Sequence, residues 1–383
     1  MEIPPEYHGR EQSFLKHRVL KQYVESWAHK RGSVAKRLWY VDVFSGPWQS
    51  RTTDLRDTSI CIGLDALESA AESWRDMEDR DIELGAIFVE KRPQAYRRLC
   101  TYLQDRDSPV HTHPFLGEFG ERVSDVQQLI GDDDAFIFID PTGFKGVEMR
   151  FISPLVAPRY RDTIINVMYN DINRWKDDER NFLRNQMREF FGLDSESLPP
   201  GLSERELMVI YRQQLKNRTS LRWSADLAIA HPTHDRTWFR LVVGCHHHAG
   251  LELFRDIERK VAGRDANIAR TDAKMRNDLH GSLFSAAQVA VGDDRRFAAE
   301  REQALAQVFP RTQIRLAGGG CRWQELWPHL LEDLHLTRSE VGQEVFAAVR
   351  AGTLRATPKP GPRRRTLHDD DVIALVASPS APP

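Results

Sequence analysis

The stretch VDVFSGP, residues 41–47, ends an apolar run that begins at Leu38, holds one acid, Asp42, and breaks at Ser45-Gly46-Pro47. Such a run reads as a buried strand, and a small-residue turn at its end is how α/β proteins bring backbone N–H groups up to a ligand. Only one glycine stands where nucleotide folds usually place two or three. Working outward, residues 84–90, 111–116, 135–140 and 163–169 read as further strands, and 59–77, 92–103 and 122–130 as helices between them. Near-continuous apolar strands alternating with helices predict a parallel sheet covered on both faces. Ahead of the first strand, Phe14, Leu15, Val19, Leu20, Tyr23, Val24 and Trp27 recur at helical spacing and predict an amphipathic helix before Gly32.

The order changes after residue 170. Residues 171–201 are polar and aromatic-studded and read as an insertion over the sheet edge. A helix over 204–215 is followed directly by two β runs, 226–231 and 237–243, joined by Pro232-Thr233-His234-Asp235; they predict an antiparallel hairpin at the end of the sheet. Further on, 323–334 and 339–350 read as helices, with Thr337 at their junction and Gly352 as a C-cap. LRATPKPGPRRRT, 354–366, then reads as a β excursion around a Pro/Gly turn before an acidic stop at Asp369-Asp370-Asp371. The expected organisation is an N-terminal helical segment (1–37), an α/β domain (38–263), a helical linker (264–300) and a winged-helix-like basic module (301–383) whose tail, ASPSAPP, is disordered.

Hydrophobic content of 40% and charged content of 29% over 383 residues describe an ordinary globular chain. No run approaches the roughly 18 consecutive apolar residues of a membrane span. MEIPPEYHGREQ lacks the apolar region of a signal peptide. Four cysteines without C-x-x-C spacing argue against a zinc ribbon or a disulfide framework, so a cytoplasmic protein with reduced thiols is expected. The net charge of -2 hides an uneven distribution: eight basic residues against two acids over 10–37, and six against none over 350–368. Two basic ends fit contact with a polyanion, and Lys359, Arg363, Arg364 and Arg365 are the expected nucleic-acid contacts.

In open α/β sheets ligands sit at the carboxyl ends of the strands. There the sequence offers Asp42 with Ser45 and Gly46, then Glu90, Glu118, and Asp140-Pro141-Thr142-Gly143. A carboxylate ending the second strand suits both hydroxyls of a ribose; its blander role is to steady the following helix. In FIFIDPTGF, 136–144, proline aims the preceding carboxylate and carbonyl out of the sheet edge, where they can accept hydrogen bonds from an exocyclic amine. The alternative is an Asp140 that only caps a helix. CHHHAG, 245–250, lets at most His246 and His248 share an ion and supplies no third ligand, so no metal is expected. Trp175, Phe182, Phe190 and Phe191 would stack on bases beside Arg174, Lys176, Arg180 and Arg184, or else belong to the core.

Taken together, FLKHRVLKQYVESW, VDVFSGP, FVEK, FLGEFGE, FIDPTGF, INVMYNDINR and VVGCHHHAGLELF occur in an order that resembles the three-Cys-motif partner (TcmP) family over roughly residues 12–262. HDDDVI, 368–373, resembles the end of many members. The resemblance implies a Rossmann-like class I methyltransferase domain that binds S-adenosylmethionine and works with a partner bearing a three-cysteine, radical-SAM-like motif. By that likeness Asp42, Ser45 and Gly46 approach the methionine end, Glu90 the ribose and Glu118 the adenine edge, with Phe44 and Lys91 also among the cofactor contacts. Asp140, Pro141 and Phe144 stand where amino-methyltransferases have the (D/N)PPY box. The chain departs from the family in Ser45 for Ala and Trp48 for Gly in the first loop. It departs from the amino-methyltransferase box in Thr142-Gly143 for Pro-Tyr. The expected function is methyl transfer to an amine nitrogen of nucleic acid. The alternatives are a non-catalytic nucleic-acid-binding scaffold and a repair or nuclease-associated factor, the last of which would need a metal carboxylate cluster.

Overall fold

The runs expected at 38–44, 84–90, 135–140 and 163–169 supply strands whose residues are almost all buried, whereas the strand at 111–116 is only half-buried. A computed structural model describes residues 2–46, 50–194, 198–277 and 285–376; Trp48 and the tail 377–383 lie outside them. In chain order α1 (Glu11–Gly32) leads to β1 (Arg37–Asp42), α2 (Ser59–Glu78), β2 (Glu83–Glu90), α3 (Pro93–Asp105), β3 (His111–Leu116), α4 (Phe119–Ile130), β4 (Asp134–Ile139), α5 (Met149–Val156) and β5 (Arg161–Val167). Then come α6 (Tyr169–Trp175), α7 (Asn181–Phe191), α8 (Glu204–Asn217), β6 (Trp223–Ala230) and β7 (Thr237–Cys245).

These seven strands form one sheet in the order β3-β2-β1-β4-β5-β7-β6. The first five pair in parallel, and β7 lies antiparallel to both β5 and β6. The architecture is therefore α/β, mostly parallel with one antiparallel strand, compatible with a Rossmann-like fold, and the expected hairpin is present. Because the chain runs outward from β1 to β3 and then returns to β4, the order reverses between β1 and β4. Ligands of open α/β sheets bind at such a switch point.

Alternation along each strand divides two cores. Tyr40, Phe88 and Phe136 point to the face covered by α1 and α2, and Val41, Ile87 and Ile137 to the face covered by α4, α5 and α8. The edge strand β3 contains Pro114, which lacks a donor and is tolerated there because β3 pairs only with β2. The helix α5 contains Ser153-Pro154 and was not expected from the sequence. In the 171–201 stretch, Phe190 and Phe191 are buried, with the Phe190 ring stacked 5.1 Å from that of Tyr211. Those two aromatics are core. Phe182 is 54% exposed.

The remainder comprises α9 (His248–Lys260), α10 (Ala266–Asn277), α11 (Ala286–Ala306), α12 (Val308–Leu316), β8 (Cys321–Arg322), α13 (Trp323–Asp333), α14 (Arg338–Ala351), β9 (Leu354–Thr357) and β10 (Val372–Leu375). The three short strands form an antiparallel sheet in the order β8-β10-β9. Gly352 ends α14 with φ +77°, as a C-cap requires. The acidic run does not stop a strand but leads into β10: the carbonyls of Asp369 and Asp371 accept from Gln324 N at 3.1 Å and Trp323 N at 2.8 Å. Leu326, Trp327 and Leu330 of α13 join the core under α1 and α2, so the carboxy-terminal elements share that core. No helix among the described residues is long and apolar enough to cross a membrane.

Candidate functional site

A cavity of about 390 Å³ opens at the carboxyl ends of β1, β2 and β4, with α1 as one wall. That volume lies within the roughly 300–1,000 Å³ typical of cofactor sites. Phe44, Gly46, Glu90, Lys91, Asp140 and Pro141 line it, so six of the expected residues share one space.

The first loop is built from the inside. Asp42 is fully buried, and its oxygens accept from Phe44 N at 3.0 Å and Ser59 Oγ at 2.6 Å. Burial pushes its carboxyl up to about 7. Ser45 is also buried and donates its hydroxyl to the Val89 carbonyl at 3.1 Å, tying β1's exit to β2. Both residues shape the turn rather than face the cavity. Phe44 and Gly46 form the wall, the Phe44 ring resting edge-on against Phe119 at 5.6 Å. Beyond the turn, buried Asp57 gathers Ser50 Oγ at 2.6 Å, Arg51 N at 3.0 Å and Arg10 Nη2 at 2.5 Å, which pins the loop to the start of α1.

Glu90 ends β2 with one oxygen accepting from Arg92 N at 2.6 Å and its side chain bordering the cavity. The role of steadying the next helix and the role of ligand contact are thus compatible. Lys91 and Glu118 meet at 3.7 Å at the exposed rim, and Glu118 does not line the cavity. Gly117 lines it instead. Its φ of +150° suits glycine, and its N donates to the Glu90 carbonyl at 3.1 Å. The backbone after β3, and not the acid, forms that wall.

At the end of β4, Asp140 is held from two sides: by Lys16 Nζ of α1 and by Asn166 Nδ2 of β5 at 2.7 Å. Pro141 and Thr142 border the cavity. Phe144 is buried, edge-on to Phe190 at 6.5 Å, and belongs to the core. Asn166 is 3% exposed, lines the cavity, and its Oδ1 has no hydrogen-bond partner among the described residues. His17 also lines it, bonded to Tyr7 OH at 2.9 Å, and burial pushes its imidazole down to about 3. Lys16, His17, Gly117 and Asn166 were missed as site residues. Their only signals were the basic excess of the first helix and the position of Asn166 in INVMYN.

The cavity thus combines a carboxylate at the end of β2, close backbone at Gly46 and Gly117, and an acid-proline pair at the end of β4. Among the described residues no group of three or more His, Cys, Asp or Glu is arranged to hold a metal. His247 caps α9 through Ala249 N at 3.1 Å, and the His248 ring lies edge-on to Trp327 at 5.0 Å.

The basic carboxy-terminal residues divide. Arg364 binds Asp371, with Nη1 at 3.0 Å from Oδ1, and so locks its own loop. Lys359, Arg363 and Arg365 are exposed and make no ion pair among the described residues. In the insertion, Arg174 and Arg180 lie 4.7 and 5.4 Å from the Trp175 ring centroid, and Arg180 lies 5.3 Å from that of Phe182.

Neither a protein-family model nor a curated protein matches the sequence.

Proposed function

We propose that this chain is a class I, S-adenosylmethionine-dependent methyltransferase acting on an amine nitrogen of nucleic acid. The observation that carries the reading is the meeting of Glu90, Gly46, Gly117 and the Asp140-Pro141 pair around one cavity at the point where strand order reverses. The insertion of antiparallel β7 between β5 and β6 supports the methyltransferase class over a plain dinucleotide-binding sheet. Asp140 and the Pro141 carbonyl orient the acceptor, and positioning supplies most of the acceleration. The order α12, β8, α13, α14, β9, β10 supports a winged-helix-like module, with Lys359, Arg363 and Arg365 meeting phosphates. The four free cysteines are in keeping with a reducing, cytoplasmic setting. A partner with a three-cysteine, radical-SAM-like motif rests on the motif resemblance alone.

Isothermal titration with S-adenosylmethionine tests the reading. Binding is expected, and Glu90→Gln should weaken it about tenfold, because one charge-assisted pair of bonds to the ribose is lost. Folded protein that gives no heat at high ligand concentration removes the enzyme. The second reading, a scaffold that kept the fold without turnover, is favoured by Asp42, Ser45 and Phe144, all of which are satisfied within the protein. It would leave cellular function intact in Asp140→Ala.

A further inference from the structure

We infer that Lys16 makes this site selective for an uncharged amine, so that the acceptor is the exocyclic amino group of a nucleobase and not an alkylammonium. The inference rests on the methyltransferase reading above and concerns which amine that site admits.

Among the described residues three carboxylates line the cavity, Asp57, Glu90 and Asp140, and each already has a partner within the protein. Asp57 is bound by Arg10, Glu90 accepts from Arg92 N at 2.6 Å, and Asp140 is bound by Lys16 and Asn166. The same wall presents five cationic side chains: Arg10, Lys16, Lys91, Arg92 and Lys145. An ammonium entering beside Asp140 would have to share one carboxylate with Lys16, and two like charges at one partly desolvated site repel strongly. Lys16 is held in place, since its side chain is 12% exposed and its ammonium lies 5.8 Å from the Phe239 ring centroid.

A neutral amine meets a better match. Asn166 Nδ2 donates to Asp140 Oδ1 at 2.7 Å, which fixes the amide orientation, because exchanging its oxygen and nitrogen would set oxygen against carboxylate. The amide oxygen, without a partner among the described residues, is thereby the spare acceptor at the end of β5. Asp140 thus orients the acceptor through Asn166, whose uncharged oxygen, with the Pro141 carbonyl, suits the two N–H groups of an exocyclic amine. The nitrogen lone pair then forms the N–C bond to the sulfonium methyl as the C–S bond breaks, its electron pair passing to sulfur. The nitrogen, now cationic beside Lys16, gives its proton to Asp140 and thence to water. An alkylammonium has no lone pair to start this step.

The test uses the full chain, S-adenosylmethionine, a single-stranded oligonucleotide containing all four bases, and a lysine-rich peptide. Wild-type protein should methylate a base amine, identified by mass spectrometry of the digested oligonucleotide, with at least about 100-fold preference over the peptide. Lys16→Met should lower oligonucleotide turnover about tenfold, leave S-adenosylmethionine affinity within about twofold, and raise peptide affinity about tenfold by fluorescence anisotropy. Lys16→Arg keeps the charge and should keep the preference; it serves if the methionine variant fails to fold. Methylation of the peptide by wild type, or peptide affinity unmoved in Lys16→Met, overturns the inference. Cofactor binding with no base methylation overturns it alone, whereas no cofactor binding removes the methyltransferase reading as well.

Discussion

Two charged regions of this molecule resemble each other in composition and differ in what their charges are left to do. Beside β6, a second cavity of about 640 Å³ is lined by eight arginines and five carboxylates. Six of those arginines are in ion pairs, among them Arg240 with Asp226 and Glu204, Arg255 with Glu258, and Arg270 with Asp293. Around it Arg212 donates to the Ser224 carbonyl at 3.0 Å, Arg255 to the Leu331 carbonyl at 2.8 Å, and Lys216 to Glu332 at 2.6 Å. These bonds join α8 to the hairpin and both α8 and α9 to α13, and so fasten the carboxy-terminal elements to the sheet. The smaller cavity at the strand ends keeps Asn166 Oδ1 without a partner and a Glu90 that borders open volume. Charge density therefore marks cohesion in one place, and spare hydrogen-bonding capacity beside a void marks the candidate site in the other.

The largest effect should come from breaking the ionic junction. Asp226→Asn leaves Arg212 buried without its carboxylate and Arg240 with Glu204 alone, and should cost about 3–5 kcal/mol. Thermal unfolding will show it as a fall in Tm of several degrees. A change no larger than that caused by Asp140→Asn would erase the distinction between the two regions.

A somewhat smaller effect, about 3 kcal/mol between pH 4 and pH 7, should appear in the pH dependence of the strand-end region. Asp42 has a folded value of about 7 against 3.8, so the stability it contributes is present at low pH and lost as pH rises from about 4 to 7. His17 has a folded value of about 3 against 6.5, so its contribution is present above 6.5 and lost as pH falls toward 3. Relative to wild type, Asp42→Asn should gain stability with rising pH and His17→Gln with falling pH. Denaturant titrations at pH 4 and pH 7 check both signs, and parallel curves for either variant and wild type would refute that assignment.

The smallest effect separates the basic residues of the carboxy-terminal loop. Replacing Lys359, Arg363 and Arg365 together by alanine should leave stability within about 0.5 kcal/mol. It should reduce the salt slope of single-strand binding by about 2. Arg364→Ala should instead lower Tm, because Arg364 closes the loop onto Asp371. Equal salt slopes for the triple variant and wild type would exclude the loop from the polyanion contact.

Much of the sheet was legible because parallel strands are buried on both faces and so leave unbroken apolar runs; β3 matches the expected 111–116, and β1, β2 and β4 begin or end within about two residues of the expected limits. α5 was missed; Pro154 lies in its interior, where proline gives up a main-chain hydrogen bond, and burial of Met149, Ile152, Leu155 and Val156 holds the short helix in spite of it. At the site, Glu90 and Asp140 were found because they stand at strand ends. Phe144 stands beside them in sequence, yet its ring turns into the core. Glu118 was expected at the adenine edge, but it stands at the exposed rim and Gly117 takes the wall.

The amino-acid order alone determined which segments become strands, where they end, and which polar residues are carried to those ends, since periodicity and turn chemistry are local. Whether an acid at a strand end is consumed, like Asp42, or borders open volume, like Glu90, was decided only when α1, β4 and β5 came together. Lys16 reaches Asp140 across 124 positions of chain. No local pattern encodes such a partner, because a hydrogen bond or ion pair forms with whatever packing brings within about 3 Å, whatever the separation in sequence.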